Sequence, residues 1–279
     1  MNTLKTLVLM GIMSALMVAV GGLLGGRQGM LLCFAFSLIT NIGSYWFSAA
    51  IALRMSGAIP IERAQNPDLY DIVESISVKA QIPVPKIYMI PTDSPNAFAT
   101  GRDPAHSAVA VTHGIMQMLT LPEMEAVLSH ELGHVKNRDI LLTTVAAVMA
   151  SAITMIAHSV MYSGGYDREE RNPVGVLLLS IAAPIAATLI NLAISRSREF
   201  EADATGAHLC GHPLQLASAL SKIEQISQQV PMQSNPALSS LYIMSPDPRS
   251  WFVNLMSTHP ATSERIARLQ AMADSERLQ

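Results

Sequence analysis

The stretch TLPEMEAVLSHELGH, residues 120–134, combines a helix start with a histidine pair. Thr120 can cap a helix, a proline fits the first turn, and Glu123 can return the capping-box bond. On that helix His130 and His134 are four residues apart, so both imidazoles lie on one face, one turn from each other. The sequence therefore predicts a helix that presents two nitrogen ligands on the same side.

The histidines belong to the pattern H-E-x-x-H, in which two imidazoles can bind one zinc ion. Glu131 is offset by one residue, so it misses the metal but can activate the attacking water as a general base. A structural zinc site would need four protein ligands, usually with cysteine, and Cys33 and Cys210 form no CxxC pair. The pattern predicts one catalytic zinc ion per chain.

A hydrolytic zinc site needs a third protein ligand and one open position. The segment REFEAD, residues 198–203, offers Glu199 for this role. Asp203 lies one helical turn further on and can accept a hydrogen bond from the free N–H of a ligand histidine. Glu201 is the rival ligand, but it points to another face of the helix. We therefore predict His130, His134 and Glu199 as metal ligands.

Half of the 279 residues are hydrophobic and only 14% are charged. A helix crosses the hydrocarbon core with about 20 apolar residues. Four charge-free stretches reach that length: residues 6–26, 28–53, 140–166 and 172–195. We expect the first two to form a transmembrane hairpin, with a cleaved signal peptide as the alternative for the first. We expect the others to be further spans, with a buried helical pair as the alternative.

The basic residues that flank these stretches indicate the orientation of the chain. If it crosses four times, one side carries Arg54, Arg63, Lys136, Arg138, Arg196 and Arg198. The positive-inside rule places that side in the cytosol. We expect a multi-pass protein of a bacterial-type inner (plasma) membrane, in contact with the lipid bilayer. The net charge of −3 and the lack of a basic run exclude nucleic acid as a partner.

The remaining residues predict a mainly α-helical α+β protein with a small sheet, in which a zincin-like metalloprotease domain is attached to transmembrane helices. An amphipathic helix is indicated at Leu69, Ile72, Val73 and Ile76. Strands are predicted at residues 86–90, 96–100 and 107–112. The predicted divisions are a hairpin, a first protease part, a hydrophobic pair and a second protease part: residues 1–54, 55–139, 140–195 and 196–279.

Two further predictions concern substrate binding. The strand Asn96, Ala97, Phe98, Ala99 and Thr100 is predicted as an edge that pairs with an extended polypeptide, with an ordinary sheet strand as the alternative. His259 is predicted to stabilise the tetrahedral intermediate, with a helix-entry residue as the alternative.

Several motifs extend the pattern along nearly the whole chain. They are PNAFATG at 95–101, SHELGH at 129–134, NRD at 137–139, SRSREFEAD at 195–203 and STHP at 257–260. With them the sequence resembles the HtpX-type membrane zinc metalloproteases, relatives of the CAAX prenyl proteases. The resemblance implies a gluzincin-like helical core, integral-membrane endopeptidase activity and a role in membrane-protein quality control and the stress response. It also implies that Glu199 is the third ligand.

The predicted function is hydrolysis of peptide bonds in membrane or misfolded proteins by a membrane-bound zinc endopeptidase at the cytosolic face. A processing protease for one dedicated substrate is an alternative within the same class. A non-catalytic zinc-containing membrane scaffold or holdase is the alternative from another class. The intact Glu131 argues against it, because a scaffold needs no base beside the metal. A transporter would need ionisable residues in its spans, and only His158 is present there.

Overall fold

The computed structural model describes residues 2–149, 196–230, 238, 241–244 and 260–277. Its α-helices are α1 (Asn2–Met55), α2 (Pro67–Ala80), α3 (His113–Met118), α4 (Leu121–Lys136), α5 (Ile140–Met149), α6 (Arg196–Cys210), α7 (Pro213–Ser227) and α8 (Thr262–Arg277). The strands are β1 (Ile59–Pro60), β2 (Lys86–Ile90), β3 (Ala97–Gly101) and β4 (Ser107–Thr112). The fold is therefore mainly helical with a small sheet, as the sequence predicts.

The sheet has the strand order β1-β2-β4-β3. Strands β2 and β4 are parallel, whereas β3 pairs with β4 and β1 pairs with β2 in antiparallel fashion. The three predicted strands agree with β2, β3 and β4 to within one residue. Strand β1 has only two residues, too few to produce an alternating pattern that sequence reasoning can detect. β3 thus lies at one edge of the sheet.

Helix α4 lies in the main core, between the sheet, α2, α6 and α7. Val127, Leu128 and Leu132 on this helix are fully buried. Leu69, Val73 and Ile76 of α2 pack into the same core, on the face that their spacing predicts. Asn66 accepts a hydrogen bond from the Leu69 N–H and so fixes where α2 begins. The histidine-bearing helix is therefore supported on several sides.

Helix α1 folds back on itself. Its two arms meet where the Asn41 side-chain amide donates to the Ser14 hydroxyl at 2.7 Å. Gly26 has a φ of +55°, a conformation that glycine adopts without a Cβ penalty. A Cβ at Gly29 would fall on the Gly21 carbonyl oxygen, so the arms approach closely there. Glycines at these positions permit the tight return.

The second arm, Gly26–Met55, is long and apolar enough to cross a membrane. Its outward face carries large exposed apolar side chains, among them Leu31, Leu32, Phe34, Ile39 and Phe47. Thr6–Ala19 and Ile140–Met149 are shorter apolar helices. Residues 150–195, which contain His158 and most of the two later predicted spans, lie outside the described residues. The four-span prediction and the domain divisions stay predictions.

The end of α1 packs on the sheet. Ala52 and Leu53 share a buried cluster with Phe98 of β3 and with Tyr242. Nearby, the Arg102 guanidinium lies 4.5 Å from the centre of the Trp46 ring, a cation–π contact. The apolar helix is thus joined directly to the sheet that carries the edge strand β3.

Glu123 joins the start of α4 to α7. Its carboxylate accepts from the Thr120 N–H at 3.0 Å, from the Ser218 hydroxyl at 2.7 Å and from the Lys222 ammonium at 2.7 Å. Burial alone would raise the pKa of Glu123, but these donors lower it to about 2. The carboxylate is therefore stabilised in its charged form in the folded state.

We expect Glu123→Gln to destabilise the protein at neutral pH by about 2 kcal/mol. The pKa of Glu123 is lower in the folded than in the unfolded chain, so its contribution is complete above the unfolded value. It is lost as pH falls from about 4.5 towards 2. Thermal unfolding in detergent should show a difference in stability between wild type and Glu123→Gln that is complete at about pH 7, falls below about pH 4.5 and is nearly gone at about pH 2. Glu125→Gln, at a more exposed pair with Lys79, is the control; a gap independent of pH would contradict this account.

Candidate metal centre

The predicted ligands come from two helices in close contact. His130 and His134 lie on α4, and Glu199 lies on α6. A Cβ at Gly206 would stand 2.7 Å from the His130 backbone nitrogen, so only glycine allows α6 to approach α4 this closely. A Cβ at Gly133 would meet the nearest atom of α6 at 3.4 Å, an ordinary contact distance. The close helix crossing therefore depends on Gly206, which sequence reasoning did not single out.

The structure brings the three predicted ligands together. Ligand atoms of His130, His134 and Glu199 all lie within 4.8 Å of one another. The Nε2 atom of His130 is 3.8 Å from Glu199 Oε2, and the Nε2 atom of His134 is 3.6 Å from Glu199 Oε1. Both Nε2 atoms therefore face the same carboxylate.

The other imidazole nitrogens face two further carboxylates. His130 Nδ1 is 2.9 Å from Asp203 Oδ1, and His134 Nδ1 is 3.5 Å from Asp139 Oδ2. A carboxylate at Nδ1 holds the proton there and leaves Nε2 with a lone pair for a metal ion. Asp203 stands where the sequence predicts, whereas the contact of Asp139 was not predicted. Asp139 follows His134 by five residues, and the chain turns at Arg138, which has a φ of +59°. This turn brings the Asp139 carboxylate back to the His134 ring.

The surroundings shift the pKa values of the two histidines in opposite directions. For His130, burial is the largest effect and lowers the pKa. For His134, burial also acts to lower the pKa, but the contact with Asp139 and the charges of Glu199 and Glu131 raise it to about 9. Surroundings that raise the pKa of an imidazole favour a positive charge beside it. The acidic surroundings of His134 are thus suited to a cation.

Glu131 lies in the same buried region. Its Oε2 atom accepts a hydrogen bond from the Ala99 N–H of β3 at 2.8 Å. Burial raises the pKa of Glu131 to about 8, and the charge of Glu199 acts in the same direction, while His134 opposes it. The carboxylate is therefore held by the sheet and has a proton affinity suited to accepting a proton near neutral pH.

A cleft of about 350 Å³, including its open mouth, contains these groups. One wall is Ala99 with His130, Glu131, His134 and Glu199, and another is the 241–244 segment through Leu241, Tyr242 and Ile243. The cleft is therefore bordered both by β3 and by this segment.

The outer side of β3 is partly covered by the chain itself. The Ala97 carbonyl accepts from the Ile243 N–H at 3.0 Å, and the Ala99 N–H is bonded to Glu131. Asn96 adds a contact from its side-chain amide to the Met244 carbonyl at 2.9 Å. The predicted pairing of residues 96–100 with a substrate strand therefore requires some of these bonds to open, and it stays a prediction.

The donor set fits a zinc ion by its chemistry and spacing. Two imidazole nitrogens and one carboxylate oxygen are a common catalytic ligand set for zinc. Ligands at about 2.0–2.1 Å in a tetrahedral site are about 3.3 Å apart, close to the 3.6 and 3.8 Å found here. The residues present thus form a suitable site for a divalent ion.

Two further side chains, those of Glu201 and His113, stand apart from the converging group. Glu201, the rival ligand, is exposed and does not belong to the converging group. His113 is at the surface, with Nδ1 3.3 Å from Asp93 Oδ1. His259 lies outside the described residues, so its predicted role stays a prediction.

A histidine pair and a carboxylate that converge in a cleft beside a second glutamate are typical of metal-dependent peptidases. Comparison with protein families gives the same class, because residues 63–273 match peptidase family M48. The chain belongs to that family. It is a membrane-associated metalloprotease.

Curated relatives match over almost the full length. A protein described as a protease HtpX homolog from Sulfurihydrogenibium sp. is 48% identical over 98% of this chain and 96% of its own length. HtpX homologs from Pelotomaculum thermopropionicum and Burkholderia multivorans are 47% and 46% identical, covering 98% and 99% of this chain and 100% and 99% of their own lengths. The HtpX resemblance of the sequence is thereby confirmed.

The fold also has a solved counterpart. The crystal structure of S. mikatae Ste24p aligns with 96% of this chain with a TM-score of 0.51 and 20% identity. The chain spans 65% of that protein's length, and the likeness concerns the fold. Because the family and its relatives are peptidases, polypeptides are the substrates, and the non-catalytic scaffold is not favoured.

Proposed function

We propose that this chain is a zinc endopeptidase in which His130, His134 and Glu199 hold one zinc ion and Glu131 is the general base. The observation that supports it best is the convergence of the three ligand atoms within 4.8 Å in a cleft that also contains Glu131. Bound zinc would polarise the scissile carbonyl and acidify the attacking water.

Side chains around the metal site orient the ligands and transfer the proton. Asp203 and Asp139 orient the two imidazoles through their Nδ1 atoms. Glu131, held by the Ala99 N–H, takes a proton from the attacking water and delivers it to the leaving amine. The surrounding apolar side chains exclude bulk water and strengthen these interactions.

The substrates that we propose are membrane proteins or misfolded chains, cut at the cytosolic face of a bacterial-type inner membrane. Two features support this proposal. The apolar arm Gly26–Met55 packs by its end on the sheet that borders the cleft, so the cleft lies close to the apolar helix. A cleft bordered by backbone groups of β3 suits an extended chain and places few demands on its sequence.

Zinc-loaded protein in liposomes would test the substrate class. We expect internal cleavage of unfolded casein and of a co-reconstituted single-span protein with an unfolded tail, and little cleavage of a compact soluble protein of similar length. Mass spectrometry of the products identifies the cut bonds, and Glu131→Gln controls for contaminating peptidases. Release of terminal residues alone, or equal cleavage of the compact protein, would contradict the proposal.

A further inference from the structure

Arg265 of α8 is a buried cation that the proposed mechanism does not use. It is 1% exposed and is the largest of the nearly fully buried side chains in the described part of the chain. Burying a guanidinium is costly unless its N–H groups are all directed at acceptors. Its contacts therefore indicate what this residue does.

Two of the three guanidinium nitrogens face the metal centre, and one of them, Nη2, also lies 3.4 Å from His130 Nδ1. Arg265 Nε donates to Asp203 Oδ2 at 2.8 Å, and Nη2 donates to Asp203 Oδ1 at 2.7 Å. The same Oδ1 atom is 2.9 Å from His130 Nδ1. A planar fork that binds both carboxylate oxygens fixes the plane of that carboxylate, and the carboxylate in turn fixes the imidazole.

The third nitrogen, Nη1, contacts the lining of the cleft. Arg265 Nη1 donates to the Ile243 carbonyl at 3.2 Å, while the Ile243 N–H donates to the Ala97 carbonyl of β3 at 3.0 Å. Ile243 is thus held from both sides, by the sheet and by α8. Leu241, Tyr242 and Ile243 line the same cleft as the metal ligands, so Arg265 contacts two parts of the cleft lining.

We infer that Arg265 is a positioning residue that sets the orientation of the metal ligand His130 and the place of the substrate-facing 241–244 segment with one guanidinium. Stability alone does not explain this residue, because replacing a buried ion pair by apolar side chains is often neutral or stabilising. Lysine cannot replace it, since one ammonium cannot span both Asp203 oxygens and the Ile243 carbonyl. The inference rests on the proposed function, whose metal site it extends.

Three variants separate the contact of Arg265 with Asp203 from its contact with the Ile243 carbonyl. Arg265→Lys should weaken zinc binding by about tenfold or more and raise KM at saturating zinc by about three- to tenfold, the equivalent of one hydrogen bond. Asp203→Asn should weaken zinc binding similarly but leave KM near the wild-type value, because Nη1 still reaches Ile243. Arg268→Lys is the matched control. It lies one turn further on α8, stacks on Phe200 and pairs with Glu264 at the surface, and should change neither quantity.

The measurements are zinc affinity by competition with a chelator and steady-state cleavage of a fluorogenic peptide. An unchanged zinc affinity or an unchanged KM in Arg265→Lys would overturn the inference while wild-type cleavage still supports the proposed function. If wild type binds no zinc and cleaves nothing, the proposed function fails first.

A further measurement needs no variant. In the full-length wild-type protein, adding zinc should slow amide hydrogen exchange at residues 241–244, because an ordered His130 keeps Asp203 and Arg265 in place. Slower exchange in α4 and α6 with no change at residues 241–244 would show that the two walls are not coupled, and would overturn the inference.

Discussion

Glu131→Gln is expected to abolish peptide hydrolysis while the metal ion remains bound. General-base catalysis contributes about 10²–10⁴-fold in rate, so we expect kcat to fall by about a hundred- to ten-thousandfold. The ligand atoms converge without Glu131, and zinc affinity should stay within a few-fold of wild type. Cleavage of a fluorogenic peptide and zinc content of the same preparation measure both quantities.

Glutamine is the most informative substitution for Glu131, because it removes only the ability to take a proton. Its side-chain oxygen can still accept from the Ala99 N–H, which keeps the local geometry, but the amide cannot take a proton. Glu125→Gln on the same helix is the matched control, because Glu125 pairs with Lys79 away from the cleft. If Glu131→Gln cleaved as fast as wild type, Glu131 would not be the base.

Glu199→Gln is expected to remove the metal and, with it, the activity. Both Nε2 atoms face this carboxylate at 3.8 and 3.6 Å, and an amide offers no negative charge to a divalent ion. Residues that only contact a metal ligand already contribute about 10–100-fold to metal affinity. For the loss of a ligand itself we therefore expect zinc binding to weaken by more than about a hundredfold. Competition with a chromophoric chelator measures the change.

Glu201→Gln provides the comparison on the same helix. Glu201 is exposed and two residues from Glu199, so this variant should bind zinc and cleave peptides like wild type. The reverse result, with zinc lost in Glu201→Gln and kept in Glu199→Gln, would move the third ligand to Glu201 and contradict the geometry described above.

Much of the fold could be predicted because its signals are local. The helix at residues 121–136 is indicated by its cap, its proline and its histidine spacing, and β2, β3 and β4 by short apolar runs between turns. The packing of Ala52 and Leu53 against Phe98 could not be predicted. It joins residues about 45 positions apart, and no local pattern indicates which face of a sheet an apolar helix will cover.

The candidate site was predictable where spacing carries the chemistry. Four-residue spacing brought His130 to His134 and placed Asp203 one turn after Glu199. Arg265 was missed because it is 62 residues from Asp203 and stands in a helix rich in exposed charges, where an arginine is usually at the surface. Gly206 was missed for a related reason, since its role is to let the backbone of α6 contact the backbone of α4.

The central claim is that hydrolysis depends on one metal ion held by His130, His134 and Glu199. Chelated full-length protein in detergent, titrated with zinc while zinc content and casein cleavage are followed together, tests it most directly. We expect no cleavage without metal and a rise that saturates at one zinc ion per chain. Undiminished cleavage by the metal-free protein, or a full zinc load without cleavage, would contradict the account.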